Sequence, residues 1–384
     1  MSLPGGAIMG DSFYLAWQYL RHHRLTTAVL VASITLIIFL PAALQVIVTS
    51  AEQHFRSRAD STPLIIGPRG SPLELVLGSV YFDKPYNEVM RLEEFRRIEK
   101  QDIGVAIPLH TKFTARDCQI AGTTIEYLRM RKLRIYQGGI WNMLGECVIG
   151  ARVADRLDVR VGDKIPVSTS ATFVLDSPPL RLRVAGIFAA NETPDDEAIF
   201  VTLETTWIIE GLGHGHARGT KHGSPEAELY TDITKENASS FHFHGSRDRF
   251  PITAVIVIPE SDKAETILSG QYFSPDETTQ IVHPRKVMDS LLARVIMVRS
   301  YMIAIIAVVS LVTLLTMTLV IVLSIRLRRA EIVTMSKMGC SRFTIASVLG
   351  SQITIIVLAS SAIATTLALL TDMYGSELVR ILIL

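Results

Sequence analysis

Three long apolar stretches interrupt an otherwise mixed chain of 384 residues, and this pattern predicts a membrane protein. Residues 25–51, 300–325 and 343–371 contain no Asp, Glu, Lys or Arg. Each stretch exceeds the roughly 20 apolar residues that cross the hydrocarbon core of a bilayer. We therefore predict three transmembrane helices, a conclusion that argues against a purely soluble enzyme.

Arg21 and Arg24 precede the first apolar stretch, an arrangement that signal peptides and membrane anchors share. The stretch is longer than the apolar region of a signal peptide, and no Ala-x-Ala-like cleavage site follows it, so we interpret it as an uncleaved anchor. Upstream, Phe13, Trp17 and Leu20 recur at helical spacing. They predict either an amphipathic helix on the membrane surface or a cytosolic extension of the first transmembrane helix.

Basic residues near the spans predict the orientation of the chain. The loop between the second and third spans carries five Arg and Lys residues against a single acidic residue, Glu331. By the positive-inside rule this loop and the N-terminus lie in the cytoplasm, and the region between the first two spans lies outside. The predicted divisions are a cytoplasmic amphipathic N-terminus at 1–24, transmembrane helices at 25–51, 299–325 and 345–371, an extracytoplasmic domain at 52–298, a cytoplasmic elbow at 326–344 and a short external C-terminus at 372–384.

The large outside region has the pattern of an α+β domain. Ser71 can cap a helix that begins at Pro72, and Glu74 can complete its capping box. Alternating short strands and helices without a Gly-rich nucleotide loop favour an α+β domain over a dinucleotide-binding fold. The predicted strands are 64–66, 105–109, 164–167, 180–187, 198–201 and 252–258, and the predicted helices include 92–98 and 151–157.

Helix-forming residues continue beyond the membrane at both ends of this domain. Residues 45–58 contain no Gly or Pro, and Val287, Leu291 and Val295 recur on one face of 285–299. We predict that the first two transmembrane helices continue outside as helical stalks. The alternative is a simple overrun of each helix at the membrane interface.

Composition narrows the classes of function. The net charge of +1 gives no basic field that would attract nucleic acid, and we expect no nucleic-acid partner. The mean hydropathy of +0.33 agrees with several membrane spans. No Ser/His/Asp arrangement stands out, and the acidic run from Asp195 to Glu197 predicts a solvated turn.

The cytoplasmic elbow is the most informative stretch of the chain. A charged helix leaves the membrane at Arg326, Gly339 can end it in a left-handed cap, and Ser341 can cap the next helix. Such an elbow suits contact with a soluble partner. The alternative is a basic loop that only obeys the topology rule.

This segment resembles the signature of FtsX-like and MacB-like ABC transporter permeases, whose second and third spans are joined by an R-x-R-E-hydrophobic-x-G-A-S-R/K pattern. Cys340 stands where that family usually has Ala. The segments at 70–77, 148–151, 161–164 and 184–187 are also similar to the family, in the same order around one large outside domain.

The resemblance implies a non-catalytic permease subunit in the inner membrane of a bacterial cell, with membrane lipid around its spans and its large domain in the periplasm. No G-x-x-x-x-G-K-[ST] motif occurs, so a separate ABC ATPase subunit would hydrolyse ATP, and no cofactor is expected on the permease itself. Such permeases form homodimers, in some cases with a periplasmic adaptor. They pass ATP-driven motion to the outside domain for export or extraction of a substrate. The residues that the resemblance assigns to ATPase coupling are Glu331, Gly339, Ser341 and Arg342.

One departure from the family concerns the number of spans. The family normally has four spans and a cytoplasmic C-terminus, whereas only about a dozen residues follow the third predicted span, too few to cross a bilayer again. We expect either a shortened member or a chain without its last helix. Because dimer contacts in the family involve the first two spans, a three-span permease can still dimerise.

Five of the ten histidines cluster in a Gly-rich segment at 211–249, which predicts a flexible insertion. A His-x-His pair on an extended chain places both rings on one side and favours chelation of a divalent metal such as zinc, copper or nickel. The alternative is a polar loop with incidental histidines. The candidate ligands are His214, His216, His222, His242 and His244.

Cys118 and Cys147 lie on the predicted oxidising side of the membrane and can pair as a disulfide, although their spacing leaves the geometry open. Two other classes of function also stay open. A membrane-anchored sensor or receptor would bind a ligand or metal through the outside domain, but no cytoplasmic signalling domain is evident. A tethered extracytoplasmic hydrolase would need a nucleophile or metal motif, and none is recognisable.

Overall fold

The protein is described here by a computed structural model that covers residues 5–168, 179–215, 231–274, 276–327, 333–334, 337 and 342–383. The chain divides into two units. The first, which we call the helical unit, comprises Met1–His54 and Leu292–Leu384. The second, the α+β unit, comprises Phe55–Leu291.

The helices and strands follow one another along the chain with short connections. The helices are α1 (Gly5–His22), α2 (Arg24–Asp60), α3 (Pro72–Val80), α4 (Leu92–Glu99), α5 (Ile125–Met130), α6 (Ala151–Leu157), α7 (Leu203–Ile209), α8 (Asp262–Gln271), α9 (Pro284–Leu327) and α10 (Arg342–Ile383). The strands are β1 (Leu64–Pro68), β2 (Met90–Arg91), β3 (Gly104–Leu109), β4 (Thr114–Ala115), β5 (Cys118–Thr123), β6 (Ile135–Gly138), β7 (Glu146–Ile149), β8 (Lys164–Pro166), β9 (Leu180–Phe188), β10 (Ala198–Thr202), β11 (Gly213–Gly215), β12 (Thr231–Asp232), β13 (Phe241–Phe243), β14 (Pro251–Ile252), β15 (Ala254–Pro259) and β16 (Thr279–Val282).

Two helices in the described part of the chain are long and apolar enough to cross a membrane. They are Arg24–Asp60, which is α2, and Ala346–Met373, which lies within α10. The described residues of α9 contain a shorter apolar stretch, Ile303–Thr316. The second of the three predicted spans, which falls on α9, therefore stays a prediction.

Small polar side chains join α2 and α10 within the helical unit. The hydroxyl of Ser360, which is fully buried, donates a hydrogen bond to the carbonyl oxygen of Val31 at 3.2 Å. Thr35 Oγ1 lies 3.5 Å from the carbonyl oxygen of Ser360. Hydrogen bonds of this kind hold helices together where no hydrophobic effect acts between them, as in a bilayer.

Two sheets stack in the α+β unit. The first contains β16, β1, β15 and β3 in that order, all antiparallel. The second runs β12-β9-β7-β10-β5-β4, mixes parallel and antiparallel pairs, and carries β6 and β8 as further neighbours of β9. Both sheets bury both of their faces, which explains why strands such as β1 and β10 are almost continuously apolar.

Alternation along the strands divides the interior into three clusters. Ile65 of β1 and Phe200 of β10 point into the shared cluster between the two sheets. Their chain neighbours turn to the opposite faces, Ile66 to the outer side of the first sheet and Ile199 to the outer side of the second. This follows from the two-residue period of a strand.

Most of the predicted elements of this unit are confirmed. The strands predicted at 64–66, 105–109, 164–167, 180–187 and 198–201 correspond to β1, β3, β8, β9 and β10, and the helices at 92–98 and 151–157 correspond to α4 and α6. Ser71 caps α3 by accepting a hydrogen bond from the backbone N–H of Glu74 at 3.3 Å. The strand predicted at 252–258 is divided at Thr253 into β14 and β15.

Gly150 shows why one of the motif positions needs glycine. It precedes α6, and a Cβ atom at this position would lie 2.2 Å from the carbonyl oxygen of Asp196. A side chain would push away the backbone of the turn Pro194–Glu197. The sequence alone places this turn at no particular partner, and the structure seats it against the start of α6.

Candidate functional site

The C-terminal end of α2 is fixed inside the α+β unit by a buried arginine. Arg58 is 5% exposed and faces Asp195, which is 1% exposed. Its Nη1 and Nη2 atoms donate to the two carboxylate oxygens of Asp195 at 2.6 and 2.8 Å. A bidentate pair of this kind fixes direction as well as distance, because the guanidinium and the carboxylate must be coplanar.

Further hydrogen bonds complete this network, which we call the α2 anchor and define as Arg58, Tyr127, Arg131 and Asp195. Arg58 Nη2 also lies 2.8 Å from the hydroxyl oxygen of Tyr127, and that hydroxyl donates to Asp195 at 2.7 Å. Arg58 Nε donates to the carbonyl oxygen of Val80 at 3.0 Å. The guanidinium of Arg131 lies over the Tyr127 ring, 5.6 Å from its centroid. The charges of Arg58 and Asp195 are thus paired and hydrogen-bonded, as buried charges must be.

The turn after α2 is held by the same network. Ser61 and Thr62 donate their hydroxyl protons to the carbonyl oxygen of Arg58 at 2.8 and 3.2 Å. Arg131 in turn donates to both hydroxyl oxygens at 2.6 Å. The last carbonyl groups of a helix need such partners because they have none within the helix.

The electrostatics of the α2 anchor keep its pair charged. Burial alone would lower the pKa of Arg58, but the charge of Asp195 and the hydrogen bonds raise that pKa above its ordinary value. Burial alone would raise the pKa of Asp195, yet Arg58 holds it below its ordinary value. Burial raises the pKa of Tyr127 to about 12, so its hydroxyl stays protonated and donates.

The prediction of a solvated turn at Asp195–Glu197 is wrong. Asp195 and Asp196 are each 1% exposed. Asp196 accepts hydrogen bonds from the backbone N–H groups of Asn191 and Glu192. A run of acidic residues reads as solvated when its partners are unknown, and here the decisive partner, Arg58, is 137 positions away in the chain.

Beside the anchor, α2 and α9 lie antiparallel within the α+β unit. Arg56 pairs with Asp289 at 3.3 Å, and Arg285 pairs with Asp60 at 3.4 Å. Met288 on the inner side of α9 is fully buried in the shared cluster between the sheets. The residues that follow α2's apolar stretch and precede α9's apolar stretch therefore belong to one packed structure.

The residues predicted to couple to an ATPase fall mostly outside the described part of the chain. Glu331, Gly339 and Ser341 lie in undescribed segments, and Arg342 is the first residue of α10. Of the elbow itself, Val333, Thr334 and Lys337 are described, and they are helical. The assignment of these four residues to coupling stays a prediction.

Three of the five predicted histidine ligands come together. His214 and His242 lie directly opposite each other in the antiparallel pair of β11 and β13, and His244 follows two residues later. Their candidate ligand atoms all lie within 4.8 Å of one another. His216 and His222 lie outside the described residues. The described ends of the insertion thus form an ordered two-stranded ribbon, contrary to the flexible segment predicted from Gly-rich spacing.

A fourth histidine, His110, was missed by the sequence reasoning and belongs to the interior. It is fully buried, and its Nε2 lies 3.2 Å from Glu210, which also pairs with Lys112 at 2.5 Å. Burial lowers the pKa of His110 below its ordinary value. The ring is therefore neutral, and its contact with Glu210 is a hydrogen bond in which Nε2–H donates.

The disulfide between Cys118 and Cys147 is not formed. Both cysteines are free and buried. They lie on β5 and β7, which flank β10 on opposite sides. Two strand spacings amount to about 9.5 Å, beyond the roughly 7 Å between Cα atoms that a disulfide can bridge. Burial raises the pKa of the Cys147 thiol far above its ordinary value, which keeps it protonated.

Comparison with known proteins agrees with this architecture of two stacked sheets joined to apolar helices. Residues 25–236 match the family model of the MacB-like periplasmic core domain. Among solved structures, the periplasmic region of MacB from Actinobacillus actinomycetemcomitans is similar at 9% identity and a TM-score of 0.36, covering 62% of this chain and 97% of that one. The extracellular domain of the noncanonic ABC-type transporter YknZ from Gram-positive bacteria is similar at 13% identity and a TM-score of 0.33, covering 57% and 98%. The comparison with curated proteins gives no match.

The family match covers more than half of the chain and takes in α2 and the second sheet with the α2 anchor. The class defined by this arrangement is a component of the ABC transporter permease type with an extracytoplasmic domain. The chain belongs to the MacB-like permease family, as its elbow and domain motifs predicted.

Proposed function

We propose that the protein is the permease subunit of an ABC transporter complex and transmits ATP-driven motion from a separate ATPase to its periplasmic domain. The observation that carries this proposal is the α2 anchor. A helix that passes motion to a domain must be fixed to that domain, and Arg58 fixes α2 through a buried bidentate pair. Breaking a buried pair costs about 3–5 kcal/mol, so the end of the helix resists separation from the sheet.

Two further features support transmission rather than passage of a substrate through the chain. Helices α2 and α9 each contribute residues to both units, so both units share continuous helical segments. The apolar side chains of α9, such as Leu315 and Leu319, are more than 60% exposed in the single chain. An exposed apolar surface of this kind suits lipid or a second copy of the chain, in keeping with a homodimer in the bacterial inner membrane.

The ATPase would contact the elbow between α9 and α10. In this proposal Glu331 and Arg342 make charge contacts with the ATPase, Gly339 ends the first helix of the elbow, and Ser341 caps the next. A periplasmic adaptor is a further partner, and the motion would serve export or extraction of a substrate. The permease itself carries out no catalysis, and ATP acts only through the partner.

The test uses the full chain, purified in detergent with the ABC ATPase encoded beside it. We expect Glu331→Ala and Arg342→Ala to weaken association and to reduce ATPase activity in the complex at least about tenfold, as expected for the loss of a charged interface contact. Lys337→Ala is the matched control, since it removes a charge from the same elbow without touching an assigned coupling residue. If no ATPase associates, or if the coupling variants behave like Lys337→Ala, the proposal fails. A membrane-anchored sensor would then be the better reading.

A further inference from the structure

The ribbon of β11 and β13 carries a face made only of imidazoles, which we call the histidine face and define as His214, His242 and His244. The ring centroids of His214 and His242 are 4.8 Å apart, those of His214 and His244 are also 4.8 Å apart, and those of His242 and His244 are 4.7 Å apart. His214 and His244 are exposed and His242 is half-buried. We propose that this face binds a divalent transition-metal ion of the zinc and copper class.

The opposite face of the ribbon explains why the three rings are held together. A Cβ atom on Gly213 would lie 2.7 Å from the Phe243 ring, and one on Gly215 would lie 2.6 Å from the Phe241 ring, so each glycine makes room for a phenylalanine on the partner strand. Phe243 packs edge-on against Trp207 at a centroid distance of 6.2 Å. The apolar face thus attaches the ribbon to the interior and turns the imidazoles outward.

The three rings converge on a site that a small ion can fill. Three imidazole nitrogens bound to one tetrahedral zinc ion lie about 3.3 Å apart, given Zn–N bonds of about 2.0–2.1 Å. The candidate ligand atoms already lie within 4.8 Å of one another, so small side-chain rotations complete the set. Three nitrogen ligands leave a fourth position for water, and imidazole favours zinc, copper and nickel over magnesium and calcium.

One ring is also oriented by its surroundings. His242 Nδ1 lies 3.3 Å from the carbonyl oxygen of Ser240, so Nδ1–H donates to this oxygen. That hydrogen bond leaves Nε2 with its lone pair free for the metal. Histidines that bind metal commonly donate their other ring N–H to a backbone carbonyl, which fixes both the tautomer and the ring direction.

Ordinary folding requirements do not account for this composition. A ribbon with one solvent-facing side needs polar residues there, and Ser, Thr, Lys or Glu would meet that need. The strands are 25 residues apart in sequence between Gly215 and Phe241, yet they place three histidines on one side within reach of one ion. The inference stands independently of the proposed permease function, since it concerns a face of the α+β unit alone.

The experiment titrates Zn²⁺ and Cu²⁺ into the full chain in detergent, purified through an affinity tag without histidines, with isothermal calorimetry as the readout. We expect one ion per chain, binding weakened at least tenfold in His244→Ala, and no binding at this site in the triple variant His214→Ala, His242→Ala, His244→Ala. The matched control is His22→Ala with His23→Ala, an exposed pair whose ring centroids are 5.0 Å apart near the end of α1. It should bind as the parent protein does.

Electron paramagnetic resonance of the Cu²⁺ form provides a readout that stability does not affect. We expect coupling to three imidazole nitrogens in the parent protein and to fewer in His214→Asn, a change at an exposed position that leaves the fold intact. Saturating Mg²⁺ should not compete. Binding that is unchanged in the triple variant, or lost in the control at His22 and His23, would overturn the proposal.

Discussion

The α2 anchor and the histidine face use polar side chains in opposite ways. In the anchor, Arg58 and Asp195 are almost fully buried, and each has several hydrogen-bond partners within the unit. In the histidine face, two of the three rings are exposed to solvent. The anchor is explained by the fold that it stabilises. The histidine face contributes little to the fold, and its composition calls for a ligand outside the chain.

The two regions therefore make different demands on mutation. Removing one member of a buried charged pair leaves the other charge without compensation in a medium of low dielectric, and the protein loses stability. Removing an exposed ring leaves nothing uncompensated, because water solvates the space. Stability measurements separate the two cases, and the expected effects below run from the largest to the smallest.

The largest effect is expected from Asp195→Ala. We expect the α+β unit to lose about 3–5 kcal/mol of unfolding free energy, because Arg58 would stay buried without its carboxylate. The measurement is urea unfolding of the full chain in detergent, in a Trp17→Phe background. The remaining tryptophans, Trp141 and Trp207, are both buried in the α+β unit and report on it alone.

Two controls sharpen this comparison. The double variant Arg58→Met with Asp195→Leu should recover much of the loss, because it replaces the pair by apolar side chains of similar size. His244→Ala should change the unfolding free energy by no more than about 0.5 kcal/mol, as is usual for exposed positions. A loss of several kcal/mol in His244→Ala, or none in Asp195→Ala, would remove the distinction between the two regions.

The sequence predicted those parts of the molecule that depend on local pattern. Apolar runs such as 198–201 predicted β10, and the Ser71–Pro72 pair predicted the start of α3, because strand period and helix capping act over a few residues. The same reasoning brought five histidines into one candidate site, and three of them meet. Each of these signals is contained in a short window of sequence.

The parts that the sequence did not predict depend on contacts between distant residues. The burial of Asp195 is decided by Arg58 and Tyr127, neither of which is near it in the chain. The separation of Cys118 from Cys147 is decided by β10, which lies between their strands. The ordered ribbon depends on glycines that receive phenylalanine rings across a strand pair, whereas glycines read alone indicate flexibility.

A second, smaller effect concerns pH and contrasts a histidine that folding explains with those of the histidine face. Burial lowers the pKa of His110 in the folded protein, whereas an unfolded histidine titrates near about 6.5. The unfolded state therefore takes up the proton first as the pH falls. The contribution of His110 to stability is fully present above about pH 6.5 and is lost progressively below it.

We expect His110→Gln to flatten the decline of unfolding free energy below about pH 6.5, measured by urea unfolding in the presence of EDTA. Gln keeps a group that can donate to Glu210 and removes the titration. In Glu210→Gln the decline should instead become steeper, because Glu210 is the group that holds the pKa of His110 up against burial. An unchanged slope in His110→Gln would mean that His110 is not a neutral interior residue.

The smallest effect is expected two residues before the anchor, at Arg56. This arginine lies on the same helix as Arg58 and also pairs with an aspartate, but its side chain is 44% exposed and that of Asp289 is 43% exposed. A double-mutant cycle of Arg56→Gln and Asp289→Asn should therefore give a coupling of no more than about 1 kcal/mol, and the coupling should fall as salt is added. A coupling above about 2 kcal/mol that persists in high salt would show that the α2–α9 contact, rather than the buried anchor alone, holds the helix to the domain. Because both arginines stand on one helix and both face a carboxylate, the difference between them isolates burial as the cause.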